Sequence, residues 1–216
     1  MRSLRASVER VFYQGSLLGM LPIDFDRSFA GVRREYLDDT TWVDHAANWC
    51  EGSDDLFDEL AATLPLRQRT GVRMYEQIVD EPRLSAWWRL EGGADEHLPV
   101  LREMRLALSQ QYDETFDSIG FNLYRDRHDS VAWHGDRHRH LVTNPVIAIV
   151  SVGCPRPLRL RLRHRPTGRA SRSRSWSLGN GDLFVMGGAC QHDWEHTVPK
   201  VAAHVGPRLS ITFRSV

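Results

Sequence analysis

The chain has 216 residues, a length that suits one domain or one domain with a substantial extension. Its 28 basic and 28 acidic residues balance, which excludes a polycation that binds nucleic acid through net charge alone. No apolar run approaches a membrane span, the N-terminus lacks the pattern of a signal peptide, and the three Cys are widely spaced. We therefore predict a cytoplasmic protein without membrane contact, and we expect a monomer.

The first half of the chain carries few regular patterns. Residues 1 to about 50 predict irregular structure that buries aromatics such as Trp42 and Trp49. A helix is predicted to open at Ser53 and to end at Pro65, with an apolar stripe made of Leu56, Phe57, Leu60 and Leu64. Residues 73–79 predict a single strand.

Two adjacent tryptophans, Trp87 and Trp88, precede a turn at Gly92 and Gly93. One of them is expected in the core, and the other can present a stacking surface. A second helix is predicted to begin near Pro99, because proline is tolerated in a first helical turn. Its apolar stripe, Leu98, Leu101, Met104, Leu108 and Tyr112, predicts a helix packed on a sheet.

From Ser118 onward the apolar residues alternate with period 2, which is typical of strands. Eight short strands are predicted near residues 118–125, 131–135, 145–152, 158–164, 172–178, 182–186, 191–198 and 208–214. Turn sequences rich in glycine and proline separate several of them. The pattern predicts a β-sandwich or jelly roll, whose mouth is a natural ligand site.

The last predicted strand has two chemically different faces. Leu209, Ile211 and Phe213 share one face, and the other carries Arg208, Ser210, Thr212 and Arg214. The polar face either is solvated or looks into the sandwich. In the second case two guanidinium groups and two hydroxyls would bind a small dianion. Asn122 and Tyr124 show the same one-face spacing and could join that site.

A possible metal site begins with His134 and Asp136, which point to the same face if they lie on a strand. The alternative is a surface histidine beside a surface aspartate. A third ligand is available in His196, and two His with one carboxylate form the facial triad of non-haem Fe(II) oxygenases. His192 and His196 share the spacing of a zinc-protease helix, but Glu195 stands in the wrong place for that motif.

Taken together, these motifs resemble the AlkB family of Fe(II)/2-oxoglutarate dioxygenases. The resemblance runs from about residue 73 to the C-terminus. It rests on Asn122-x-Tyr124, His134-x-Asp136, Gly181-Asp182-Leu183, Met186-Gly187-Gly188, Trp194-x-His196-x-Val198-Pro199-Lys200 and Arg208-x5-Arg214. The segment Pro82–Trp87 also resembles the substrate lid of the family's DNA-repair members.

The resemblance implies an α+β, mainly β fold with a double-stranded β-helix (jelly-roll) core. Residues 1–216 would form a single domain, with an N-terminal extension and nucleotide-recognition lid to about residue 95, and a helix plus the catalytic core from about residue 96. Iron is assigned to His134, Asp136 and His196. The resemblance assigns 2-oxoglutarate to Asn122, Tyr124, Arg208 and Arg214, with Ser210 and Thr212 on the same wall.

The implied function is oxidative dealkylation of N-alkylated nucleobases in DNA or RNA. A ferryl species would hydroxylate the N-methyl carbon, and formaldehyde, succinate and CO2 would leave. Two alternatives remain: a dioxygenase of RNA or protein side chains, and a non-catalytic jelly roll that binds nucleic acid.

Substrate contacts are expected from both halves of the chain. An extruded base would stack on Trp87 or Trp88, or less favourably on Tyr75. His138 stands where the family often has an acid, and Ser210 stands where Asn is common. Alternating arginines from Arg156 to Arg174, Arg163 among them, predict either a solvated face or a surface that tracks phosphates.

Overall fold

The computed structural model describes residues 22–74, 77–89, 98–136, 144–164 and 173–215. This part of the chain contains fifteen strands and three helices. The strands are β1 Asp24–Phe25, β2 Arg33–Tyr36, β3 Thr41–Ala46, β4 Cys50–Glu51, β5 Val72–Met74, β6 Gln77–Val79, β7 Leu84–Arg89, β8 Ser118–Tyr124, β9 Val131–His134, β10 Ile147–Gly153, β11 Arg156–Leu162, β12 Arg174–Leu178, β13 Asp182–Gly188, β14 Trp194–Val198 and β15 Arg208–Arg214. The helices are α1 Ser53–Thr63, α2 Pro99–Tyr112 and α3 Cys190–Asp193.

Two antiparallel sheets form the body of the fold. The larger has seven strands in the order β2-β3-β13-β10-β15-β8-β7, and the smaller has four in the order β12-β11-β14-β9. Strands that neighbour each other in these sheets are often distant in sequence, as in the β-sandwiches and jelly rolls predicted from the strand pattern. The pairs β1-β4 and β5-β6 form two further short ribbons.

The period-2 pattern of the central strand β10 separates two hydrophobic cores. Ala148, Val150 and Val152 pack with α1 and α2 on one side of the larger sheet. Ile147 and Ile149 pack with residues of β11 and β14 on the other side, between the two sheets. Successive strand side chains point to opposite faces, so an apolar strand such as β10 is buried on both. The predicted mainly β jelly roll with packed helices is confirmed.

Both predicted long helices are present and bury the expected stripes. In α1, Leu56 and Leu60 are fully buried, and the helix ends at Thr63 before Pro65. It begins after Gly52, whose φ of 62° is left-handed, and no side chain caps it. In α2, Pro99 occupies the first turn, and Leu101, Met104 and Leu108 are fully buried in the core.

Three sequence predictions about elements were wrong. Residues 33–51, expected to be irregular, contain β2, β3 and β4, and β3 pairs with β13 inside the larger sheet. Residues 73–79 do not form one strand but contribute to two paired strands, in which Met74 faces Gln77. The stretch 191–198 begins with the helical turn α3 rather than with strand. In each case non-local pairing or a chain reversal overrode local propensity, which carries no such information.

The described helices include none that is both long and apolar enough to cross a bilayer.

Candidate active site

Three possible metal ligands converge where β9 meets β14. His134 ends β9 and lies directly opposite His196 on β14, with ring centroids 4.2 Å apart. Asp136 follows β9 by two residues, and its Oδ2 lies 3.6 Å from His196 Nε2. One ligand atom from each residue lies within 4.8 Å of the others. Two imidazoles and one carboxylate on one side of a point fit a divalent transition metal with open positions.

The surroundings prepare these side chains for a metal. His134 Nδ1 lies 2.8 Å from the Ala132 carbonyl oxygen; because a carbonyl can only accept, Nδ1 carries the proton and Nε2 keeps its lone pair. Burial, with His134 nearby, lowers the pKa of His196 to about 4, so its ring is neutral, as a metal ligand requires. Arg214 Nη1 donates to Asp136 Oδ1 at 2.5 Å, which leaves Oδ2 facing His196.

A buried polar wall lies on the larger sheet, where β15 pairs with β8. Ser210 faces Asn122 and Arg208 faces Tyr124 in the register of this pair. Arg208, Ser210 and Thr212 are buried, so the polar face of the last strand looks into the sandwich, not into solvent. The four wall residues of β15 and the two of β8 therefore share one face, as the alternation predicted, and all but Asn122 and Arg214 are buried.

Arg208 is the clearest sign of an anion site in this wall. Its side chain is 1% exposed, and burial lowers its pKa to about 10, with Arg156 adding repulsion. Nε donates to the Ser151 hydroxyl at 2.8 Å, but Nη1 has no hydrogen-bond partner within the described part of the chain. A buried cation without an acid is costly, so the wall suits a small carboxylate ligand.

The amide of Asn122 is oriented by the segment predicted to be a lid. Arg83 Nε donates to Asn122 Oδ1 at 3.0 Å, so the amide NH2 is available as a donor on the same wall. Tyr124 is 3% exposed, and burial raises its pKa, which keeps its phenol neutral.

The two tryptophans of β7 take opposite faces. Trp88 packs into the core with its ring centroid 4.8 Å from that of Phe121, so it is not placed to stack on a ligand. Trp87 is 38% exposed, and the Arg214 guanidinium lies 4.1 Å from its ring centroid. Gly120 permits this placement, since an added Cβ there would lie 2.5 Å from Trp87 Cζ3. Of the two tryptophans, Trp87 is the one beside the metal ligands.

The arginines of β11 and beyond divide into structural and exposed groups. Arg156 is buried and donates to the carbonyls of Asp126, Asp129 and Pro199, so it cannot track phosphates. Arg161 pairs with Glu195. Arg163 is exposed, with Nη2 3.3 Å from the Gln191 carbonyl oxygen, and an added Cβ at Gly135 would lie 2.2 Å from that nitrogen. Arg163 therefore stands beside the metal ligands and in reach of solvent.

Two predicted substrate contacts, Tyr75 and His138, lie outside the described residues. Sequence reasoning missed three residues at the site: Arg83, Ser151 and Gln191. Arg83 belongs to the segment that resembles a lid, but its contact with Asn122 was not predicted. Nothing in the local pattern distinguishes Ser151 and Gln191, because each reaches the site through pairing or turning of distant segments.

Comparison with known proteins agrees with this geometry. The family model of the 2OG-Fe(II) oxygenase superfamily matches residues 53–214. The alpha-ketoglutarate-dependent dioxygenase alkB homolog 3 of Homo sapiens is 35% identical over 178 residues, covering 76% of this chain and 62% of that protein. The DNA oxidative demethylase ALKBH2 of Arabidopsis thaliana is 38% identical over 119 residues, covering 47% and 38%.

A comparison with solved structures finds the same kind of fold. The solved structure of OsALKBH1 superposes with a TM-score of 0.56 at 12% identity, covering 84% of this chain and all of that one. The chain thus belongs to the 2OG-Fe(II) oxygenase superfamily, and the relatives named above are AlkB homologues. The predictions of the family and of Fe(II) with 2-oxoglutarate are confirmed by these matches. The chain spans about three fifths of the length of the human alkB homolog 3 that it matches.

Proposed function

We propose that this chain is an Fe(II)/2-oxoglutarate dioxygenase that removes alkyl groups from nitrogen atoms of nucleobases, in DNA and by extension in RNA. The observation that carries the proposal is the meeting of three features at one place. A His-Asp-His group lies on the smaller sheet, the facing wall of the larger sheet carries a buried guanidinium with an unused donor, and an exposed tryptophan lies on Arg214, which contacts the aspartate of the group.

His134, Asp136 and His196 would hold the iron, which, with 2-oxoglutarate and O2, supplies the oxidising chemistry when bound. The chain itself contributes positioning. Arg214 holds one oxygen of Asp136 and leaves the other directed to the metal position. The Ala132 carbonyl fixes the tautomer of His134.

Binding of 2-oxoglutarate would use the buried wall of β15 and β8. Arg208 would pair with its distal carboxylate, because that buried guanidinium has a donor that no described residue uses. Tyr124 and the amide of Asn122 would donate to the same ligand, and Arg214, Ser210 and Thr212 would line the wall.

On the substrate side, Trp87 would stack on a base taken out of its helix, and Arg163 would contact a phosphate beside the metal ligands. The ALKBH2 relatives are named as DNA oxidative demethylases, and this supports DNA as the first substrate to test. Tyr75 and His138 remain predicted substrate contacts. The division into lid and core, the monomeric state and the cytoplasmic location also remain predictions.

The test is anaerobic loading with Fe(II) and 2-oxoglutarate, followed by O2 and an oligonucleotide that carries 1-methyladenine or 3-methylcytosine. Mass spectrometry would read the repaired base and succinate, and a formaldehyde assay would read the released carbon. We expect repair with about one succinate for each base restored. Asp136→Ala is the inactive control, and Arg102→Ala, an exposed arginine on α2 outside the metal group, the polar wall and the arginine-rich segment, is the matched active control.

Succinate without repair would redirect the search to RNA or protein side chains. If folded, metal-bound protein forms neither succinate nor repaired base, the alternative of a non-catalytic nucleic-acid-binding jelly roll is favoured.

A further inference from the structure

Gln191 is a polar side chain that is 3% exposed, and neither the metal nor the cosubstrate assignment uses it. It lies in the helical turn α3, between β13 and β14. The main-chain N–H of Asp136 donates to Gln191 Oε1 at 3.3 Å. We propose that Gln191 is a positioning residue, which holds the main chain of Asp136 so that its carboxylate faces the metal.

The amide of Gln191 has a defined orientation. Its Nε2 lies 3.9 Å from the sulfur of Met186, a weak acceptor, and its Oε1 faces the N–H of Asp136. Reversing the amide would place two donors against each other. The turn that carries Gln191 is itself held by Arg163, whose main-chain N donates to the Asp193 carbonyl at 2.7 Å and whose guanidinium donates to the Gln191 carbonyl.

Asp136 needs such a support because it lies beyond the strand. The register between β9 and β14 reaches His134 opposite His196 and includes no pair for Asp136. Its side chain is held at Oδ1 by Arg214, and its main chain is held by Gln191. Two points of attachment, one on the side chain and one on the backbone, restrict the rotamer that a metal requires.

The close approach of this loop to α3 is also visible at Gly135. An added Cβ there would lie 3.2 Å from the Gln191 carbonyl oxygen, so the metal loop lies directly against the turn. The helical turn that strand periodicity failed to predict is therefore what brings Gln191 to Asp136.

The inference rests on the proposed metal centre, and Co(II) titration of the apo protein followed by visible absorption tests the two separately. Gln191→Met keeps the volume and removes the acceptor. Gln191→Glu keeps an oxygen acceptor in either protonation state. Asn180→Leu is the matched control, because Asn180 Oδ1 accepts a main-chain N–H of the same kind from Gly153 at the turn between β12 and β13.

We expect Gln191→Met to weaken Co(II) binding by about tenfold or more, because losing a group that orients a metal ligand typically costs about 10- to 100-fold in metal affinity. The Co(II) absorption band should change as well. Gln191→Glu should bind within about threefold of the wild type or more tightly. Asn180→Leu should lower the melting temperature without changing the Co(II) dissociation constant. Equal Co(II) binding by Gln191→Met and the wild type, or equal weakening by Met and Glu, overturns the inference.

A wild-type protein that binds no Co(II) would instead overturn the metal centre of the proposed function. If Gln191→Met does not fold, hydrogen exchange in the wild-type apo protein decides the matter. The Asp136 amide should be protected because it donates to a buried acceptor, and exchange as fast as that of an exposed loop amide would contradict the proposal.

Discussion

At the scale of single residues, Arg208 joins stability to binding. The guanidinium is 1% exposed and retains an unused donor within the described structure. Removing such a charge should relieve a desolvation cost in the apo protein, whereas removing it in the presence of an anion deletes a charge-assisted hydrogen bond. The same side chain is thus expected to destabilise the apo protein and to stabilise its complex with an anionic ligand.

We predict opposite effects of Arg208→Met on these two properties. The affinity for 2-oxoglutarate, measured by calorimetry with Mn(II) present, should fall by about 10- to 100-fold, which corresponds to the free energy that a hydrogen bond to a charged group contributes. The melting temperature of the apo protein should stay the same or rise. A variant that binds 2-oxoglutarate normally would remove Arg208 from the site, and Arg159→Ala should change neither quantity.

Cysteine reactivity should also differ from residue to residue. Burial raises the pKa of the Cys50 and Cys190 thiols to about 12, and Cys154 is partly exposed. Thiolate is the reactive form, and at pH 8 only about one buried thiol in ten thousand is ionised. Their reactivity should rise as the pH increases toward 12, because the thiolate fraction grows.

We therefore expect one fast thiol per chain in a disulfide-exchange titration of native protein at pH 8, and three in guanidinium. Peptide mapping should locate the fast label at Cys154. Three fast thiols in the native protein would contradict the burial of Cys50 and Cys190.

At the scale of elements, two adjacent residues of strand β7 lie on opposite faces and have different roles. Trp88 packs against Phe121 in the core between the larger sheet and the helices. Trp87 turns to the other face and lies on Arg214 and over Gly120. Because neighbouring strand residues point to opposite faces, a shift of one residue in this strand would exchange a packing residue for a stacking one.

Replacing each tryptophan by alanine should separate stability from substrate binding. Trp87→Ala should weaken binding of a methylated oligonucleotide by about tenfold, since stacking on one base contributes about 1–3 kcal/mol, and should change the melting temperature little. Trp88→Ala should lower the free energy of unfolding by about 3 kcal/mol and leave the affinity of the folded fraction unchanged. Fluorescence anisotropy and denaturant titration measure the two quantities; the reverse pattern would place Trp88 at the substrate.

At the scale of the whole molecule, the proposed ligands lie between the two sheets. The metal ligands come from β9, the residue after it, and β14 of the smaller sheet, whereas the anion wall belongs to β15 and β8 of the larger one. Arg214 already spans this gap by its bond to Asp136. Metal and cosubstrate bound together should therefore hold the sheets together.

We predict that Mn(II) and 2-oxoglutarate together stabilise the fold more than the sum of their separate effects. A ligand at 100 times its dissociation constant adds about 2.7 kcal/mol to a folded state that alone binds it. Differential scanning fluorimetry should show a rise of several degrees, which EDTA reverses. Asp136→Ala should abolish the metal-dependent part, and a strictly additive response would mean that the two sites do not communicate.

Much of this fold and site could be predicted because it depends on local spacing. Period 2 in β15 identifies a strand, and the stripes of α1 and α2 bury the expected leucines. These relations follow from backbone geometry, which links residue spacing to side-chain direction in the same way in any strand or helix. The order of the motifs was enough to indicate the AlkB family.

The rest depended on which distant segments meet. Tertiary structure decided that the polar face of β15 is buried, that Trp88 and not Trp87 fills the core, that Arg156 serves three carbonyls, and that α3 brings Gln191 to Asp136. Local pattern is silent on these points because a polar side chain can make its hydrogen bonds either with water or with buried partners. Only the packing of one sheet on the other determines which of the two it meets.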